Sequence, residues 1–376
     1  MHEFHSAIVQ KDRLLPGIHG LRGVAALAVV LFHLNHLAGI TPPVFFEFIG
    51  RDFGYSVHLF FIISAFSLCY STGSRTDQPK WLSEYFLKRF FRIAPLFYFM
   101  IVFEITRQIV SAGKVITDFN SIILEMTFTF GFVQFSDFIW GGWTVGVEMI
   151  FYAIFPVLVL TIRTCRSALV LLVISIIICY AIRSSLHLQY IALTPQSKWD
   201  WSYFAPASNM CFFAMGIFAY HMSLQYKELN HINNRINRII QFLAIVIIGG
   251  LIFLNIAKYL FGDGRLDIVI WGLGLMALCI SQSVSPSLFI ANQLFEYLGE
   301  RSFSIYLLHP VVITFSKVYL VEIYGGLLPH LGTNAFFVCA ILTIALVMIF
   351  AEFTYTLIEV PGISFGRKLI TKMRFA

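Results

Sequence analysis

An all-α, polytopic membrane protein of about ten transmembrane helices plus one re-entrant segment is the fold class this sequence predicts. Three observations predict it. The 376 residues are 58% hydrophobic and only 12% charged, whereas soluble domains carry about 25% charged residues. Strongly apolar runs recur along the whole chain, most of them near the ~20 residues that a bilayer-crossing helix needs. Forty phenylalanines suit lipid-facing and interhelical surfaces. Repeated spans leave little for a separate soluble domain, so residues 1–376 are expected to form one integral membrane domain.

The apolar runs lie near 17–38, 54–72, 92–112, 121–139, 143–162, 167–185, 204–223, 239–257, 267–284, 302–320 and 334–357. The run 121–139 stands apart, because it holds Glu125, Gly131, Gln134 and Asp137 and only a few residues separate it from the next span. Loop charge decides its course. If it dips in and returns on the same side, loops on the N-terminal side carry seventeen Lys and Arg and the opposite loops eight; if it crosses, the counts are twelve and thirteen. The positive-inside bias selects the re-entrant course and places both termini in the cytoplasm. Irregular backbone at membrane depth is tolerated only against protein or a water-filled cavity, so such a cavity is expected beside 121–139. The polar start Met1–Arg13 leads straight into a full-length span with no small-residue cleavage site, so no cleavable signal is expected.

The net charge of +6 is assigned to cytoplasmic loops and anionic lipid headgroups rather than to nucleic acid. The six cysteines are scattered through apolar stretches with no CxxC spacing, which reads as buried membrane residues rather than disulfides or metal ligands. In the loop 186–203, Trp199, Trp201 and Tyr203 read as an interfacial aromatic belt, with substrate stacking as the alternative.

The residues able to carry chemistry start in the first span. Arg22 and His33 lie eleven positions apart in an apolar stretch. That is roughly three turns, so they share a helix face about 16 Å apart along the axis. Ionisable groups inside a span are costly and by default functional, and this line predicts a site that runs into the membrane. Arg89 and Arg92, in Lys88-Arg89-Phe90-Phe91-Arg92, are three apart and point the same way. They read either as an orientation anchor with snorkelling side chains or as a clamp on phosphate, which guanidinium binds bidentately. Glu148 lies deep in an apolar run and needs a partner; Arg22 and His33 are the candidates. His309, before Pro310, is a lone histidine on an apolar helix, and His58 stands near the outer end of the second span. His33 and His36 lack further ligands at matching spacing, so no metal is expected. Gly362-Ile363-Ser364-Phe365-Gly366 matches a hydrolase elbow by letter, but it lies in a basic tail and is set aside.

Taken in order, these residues resemble the acyltransferase-3 family of integral membrane acyltransferases, which O-acylate carbohydrates. The matches are Arg22 with His33, Leu59 to Phe66, Arg89-Phe90-Phe91-Arg92, Trp143 to Glu148, Ser302 to His309, and Tyr355 to Pro361. The chain departs from the family pattern at His58, where an acidic residue is usual, and at Ala65, where glycine is usual. No carboxylate role can therefore be carried over to position 58. Some relatives carry a C-terminal SGNH-type domain; this chain ends at Ala376 soon after its last span, and none is expected.

The resemblance implies acyl transfer from cytoplasmic acyl-CoA, commonly acetyl-CoA, to a sugar hydroxyl. The site residues fit this scheme: Arg89, Arg92 and Arg22 toward CoA, and His33 as general base with Glu148 beside it. Direct transfer is expected over an acyl-enzyme, with Ser64 and Ser304 as the serines to weigh as nucleophiles. The expected partners are a carbohydrate or lipid-linked glycan acceptor, such as O-antigen or exopolysaccharide, and membrane lipid. The expected location is the bacterial inner membrane. The rival readings are a proton-coupled transporter and an acyl carrier that passes its group to a partner.

Overall fold

A computed structural model describes residues 15–133, 138–193, 200–229, 234–254 and 266–375, and among them no strand occurs. The first helix, α1 (Pro16–Ala38), opens on a proline, which costs no hydrogen bond at a helix start. It ends at Gly39, whose φ of 74° lets its N–H turn back to the Asn35 carbonyl at 3.0 Å. In chain order follow α2 (Ser56–Thr72), α3 (Trp81–Ala112), the short α4 (Phe119–Met126), α5 (Trp143–Thr161), α6 (Cys165–Leu193) and α7 (Pro206–Leu229). Then come α8 (Asn234–Leu254), α9 (Asp267–Val284), the short α10 (Gln293–Glu300), α11 (Ser302–Leu331), α12 (Ala335–Thr354) and α13 (Val360–Phe375).

Each of the ten expected spans coincides with a long helix. Among the described residues, seven stretches are long and apolar enough by length and composition to cross a membrane. The last of them, Ser302–Arg374, contains both α11 and α12, which pack side by side. Two of the expected spans are not among the seven: α7, and α8, whose apolar run Arg238–Phe253 is shorter. The chain is thus an all-α polytopic membrane protein. Two helices outrun their apolar cores. α3 begins eleven residues before the expected span because its first turns are held by α13: Arg374 Nη2 lies 2.7 Å from Glu84 Oε2. α11 continues to Leu331, past the expected end near 320.

The segment 121–139 does not form a spanning helix. The eight residues of α4 cover about 12 Å, well short of a ~30 Å hydrocarbon core. Asp118 caps α4 by accepting the Ser121 N–H at 3.0 Å. Phe128 then turns the chain with a φ of 57°. Phe128 and Phe130 pack on Phe97 of α3, with ring centroids 5.1 and 5.8 Å away. Gln134 and Asp137 lie outside the described residues, as do Lys11, Arg13, Trp199, Lys198, Lys258 and Arg265.

α1 is the hub. It packs against α10, α11, α2 and α9. Its contact with α10 and the turn before it depends on missing side chains: a Cβ on Gly23 would fall 2.3 Å from the carbonyl oxygen of Phe295 in α10, and one on Gly20 2.1 Å from that of Ile290 in the preceding turn. Small residues at such crossings let backbones touch. That contact fixes the half of α1 that carries Arg22, while α11 packs along the same helix and reaches the half that carries His33. Elsewhere α7 packs on α2, α6 and α9, and α13 lies along α3.

Candidate active site

A cavity opens among α1, α2, α3, α5 and α11, and it gathers the charged residues that the sequence scatters. Its lining includes Arg22, Ser64, Arg89, Arg92, Glu148, Tyr152 and Tyr306. Arg89 and Arg92, one turn apart on α3, both face it. The Glu148 carboxylate on α5 meets the hydroxyls of Ser64 and Tyr152 and the charges of Arg22 and Arg89. Tyr152, one turn after Glu148, has its hydroxyl 2.9 Å from Ser64 Oγ. The Tyr85 hydroxyl donates to the Tyr152 carbonyl at 3.0 Å and ties α3 to α5. Arg89 stands over the Tyr152 ring, 5.9 Å from its centroid, within cation–π range. Its Nε is buried and has no hydrogen-bond partner among the described residues. A buried donor left open is costly unless something fills it.

Arg92 is partnered from the far end of the chain. Its Nη1 lies 3.1 Å from Glu359 Oε2. The contact is an ion pair rather than an aligned hydrogen bond, since Glu359 Oε2 makes none. Glu359 is 1% exposed and sits in a π-helical turn, Tyr355–Glu359, between α12 and α13. Such turns widen the helix by a residue and re-aim side chains. Ser304 donates to Glu359 Oε1, and Thr354 donates to Ser304 at 3.1 Å. Ser304 is therefore engaged in holding a carboxylate and lies behind the cavity wall.

Tyr306 also lines the cavity, and its hydroxyl donates to the Gly141 carbonyl at 3.3 Å. One turn further along α11 comes His309, its ring 5.7 Å from that of Tyr306. His309 Nε2 lies 3.0 Å from His33 Nδ1. Arg22 lines the cavity, whereas His33, three turns further along α1, is not among the lining residues and meets His309 of α11 instead.

Of the two candidate partners for Glu148, the structure supplies Arg22. His33 instead pairs with His309, because the three turns of α1 between Arg22 and His33 put them in different neighbourhoods. His58 is 0% exposed and does not line the cavity. Phe212 and Tyr203 surround its ring at 4.2 and 5.7 Å, and neither ring nitrogen has a hydrogen-bond partner among the described residues. Tyr203 belongs to this cluster, packed on Trp143 at 5.5 Å and beneath the buried Arg183 at 5.9 Å. Tyr203 is thus half-buried against its own protein's aromatic rings.

Sequence reading passed over Glu359, Tyr152 and Tyr306. The signals were available for two of them: Tyr152 follows Glu148 by four residues and Tyr306 precedes His309 by three, both on a shared helical face. Glu359 carried a weaker signal, a carboxylate two residues before Pro361 at the end of an apolar run.

Fold and site together define a class: a polytopic helical membrane protein with an arginine-lined cavity, one of whose lining residues, Tyr306, packs against a pair of histidines. The chain belongs to the acyltransferase-3 family, whose acyltransferase domain matches residues 15–352. It is similar to "Putative O-acetyltransferase SACOL0978" of Staphylococcus aureus (strain COL), 24% identical over 382 residues, covering 94% of this chain and 58% of that protein. It is also similar to "Putative peptidoglycan O-acetyltransferase YrhL" of Bacillus subtilis (strain 168), at 23% identity over 94% of this chain and 55% of that protein. "O-acetyltransferase OatA" of Staphylococcus aureus (strain NCTC 8325 / PS 47) matches at 25% identity over 93% and 57%. The chain thus spans little more than half the length of these relatives. No solved structure matches it.

Proposed function

We propose that this protein transfers an acyl group, acetyl foremost, from acyl-CoA to a hydroxyl of a cell-envelope carbohydrate. The observation that carries the reading is a cavity that gathers Arg22, Arg89 and Arg92 with Tyr306, whose ring packs against that of His309, the partner of His33. Family membership supports the acyl-transfer chemistry, and a relative named for peptidoglycan supports a carbohydrate acceptor. Arg89, with its open buried donor, and Arg92 would hold the CoA phosphates at the cytoplasmic mouth. Arg22 would guide the pantetheine arm inward. His33 would take the proton of the acceptor hydroxyl as its oxygen attacks the thioester carbonyl. Collapse of the tetrahedral intermediate would then release CoA thiolate, which takes that proton back from His33.

On this reading the mouth, both termini and the seventeen-residue basic set share the cytoplasmic side of the bacterial inner membrane. Positions near 114 and near 140 should then label together from the outside. Acetyl-CoA binding to purified protein is the decisive measurement. Saturable binding that is lost on replacing Arg89 is expected, whereas no binding by intact protein would return the cavity to the transporter reading.

A further inference from the structure

The pairing of His33 with His309 has a direction, and the two helix backbones set it. His309 is 1% exposed, and its Nδ1 lies 3.2 Å from the Ile305 carbonyl one turn back on α11. A carbonyl oxygen only accepts, so the hydrogen of a neutral His309 sits on Nδ1. Its Nε2 is then a lone pair, and that lone pair faces His33 Nδ1 at 3.0 Å. A lone pair needs a donor, so the His33 hydrogen also sits on Nδ1. There it is shared between His309 and the Val29 carbonyl, which is likewise 3.0 Å away. The remaining nitrogen of His33, Nε2, holds no hydrogen. The opposite assignment, with His309 Nε2 donating, would set two lone pairs against each other at Ile305.

From this geometry we infer that His309 is a positioning residue for His33. It fixes the His33 tautomer and ring plane, so that Nε2 is the nitrogen left to take a proton. It also accepts the Nδ1–H bond, which strengthens when His33 becomes an imidazolium. The role is that of the third group that orients a catalytic histidine, here filled by a neutral imidazole held by its own helix. The inference rests on the proposed acyl transfer with His33 as base.

The test compares two substitutions at His309, measured as acetyl transfer in membranes with acetyl-CoA binding in parallel. His309→Phe keeps the ring and removes the acceptor. His309→Gln loses the ring but sets an amide oxygen near the Nε2 position. Loss of an orienting partner typically costs about 10- to 100-fold. That fall in kcat is expected for Phe with acetyl-CoA affinity unchanged, and Gln should recover most of it. A packing role predicts the reverse order, with Phe tolerated and Gln impaired, and that result overturns the inference. If the Phe variant fails to accumulate, the Gln variant decides alone: near-native turnover supports the role, and a loss as deep as that of His33→Gln overturns it. The double variant His33→Gln/His309→Phe should be no slower than His33→Gln. Should His33→Gln itself keep near-native turnover, the base assignment fails, and that failure is distinct from one at His309.

Discussion

His33 and His58 stand on adjacent packed helices, α1 and α2, both inside strongly apolar sequence, and the structure treats them in opposite ways. His33 is half-buried, with one ring nitrogen held by a carbonyl and a second imidazole. His58 is enclosed by Phe212, Tyr203 and Phe61, and neither nitrogen has a hydrogen-bond partner among the described residues. The first arrangement orients an imidazole and leaves one nitrogen for chemistry. The second packs an imidazole as a ring. An ionisable residue in an apolar helix therefore marks a place to look, and its hydrogen-bond partners decide whether it is set up to react.

The largest expected effect sharpens this contrast. His33→Gln keeps much of the shape of the side chain and cannot accept the proton, so turnover should fall about 10²- to 10⁴-fold while acetyl-CoA binding persists. Turnover near that of the unsubstituted protein would remove imidazole from the reaction and leave Glu148 as the group to test. A second prediction separates the two arginines of α3. Arg89→Ala should weaken acetyl-CoA binding more than Arg92→Ala, because Arg89 Nε is open whereas Arg92 already faces Glu359. Arg89→Lys should rescue poorly, since ammonium lacks the bidentate fork. Equal, unchanged affinities would make the pair a structural anchor.

Glu359→Gln comes third. It removes the buried counter-charge of Arg92, which itself stays about a quarter exposed on the cavity, so the cost falls below the figure of about 3–5 kcal/mol for a fully buried pair. The expected signature is a lower unfolding temperature in detergent, more than a change in acetyl-CoA affinity at saturating stability. The smallest effect is expected at the other pole of the comparison. His58→Phe replaces a buried ring that makes no aligned hydrogen bond with one of similar shape, and its cost is limited to the loss of the weak polar contact with the Asn209 side chain, at most about 1–3 kcal/mol. Thermal unfolding and acetyl transfer both test it; a loss of turnover matching that of His33→Gln would show that the aromatic cluster around Tyr203 and Trp143 belongs to the reaction.

Much of the architecture was legible in the chain. Apolarity over some twenty residues is a local property, and a helix is the local answer to a medium with no water to satisfy the backbone. Among the described residues the long helices accordingly fall where the apolar runs are, and 121–139, the run with polar residues inside it, forms only a short helix. Spacing alone also put Arg89 with Arg92 on one face, and Arg22 with His33 on another. What spacing could not reach was any pairing between helices. His33 and His309 are 276 positions apart, and Arg92 meets Glu359 only because a π-helical turn near the end of the chain re-aims it. Glu148 had two possible partners until the packing of α1, α2 and α5 chose Arg22. Sequence determines which segments are helices because that free energy is local. Which side chains face one another is a property of helix packing, set here by glycine contacts such as Gly23 against Phe295 of α10, and only the tertiary structure decides it.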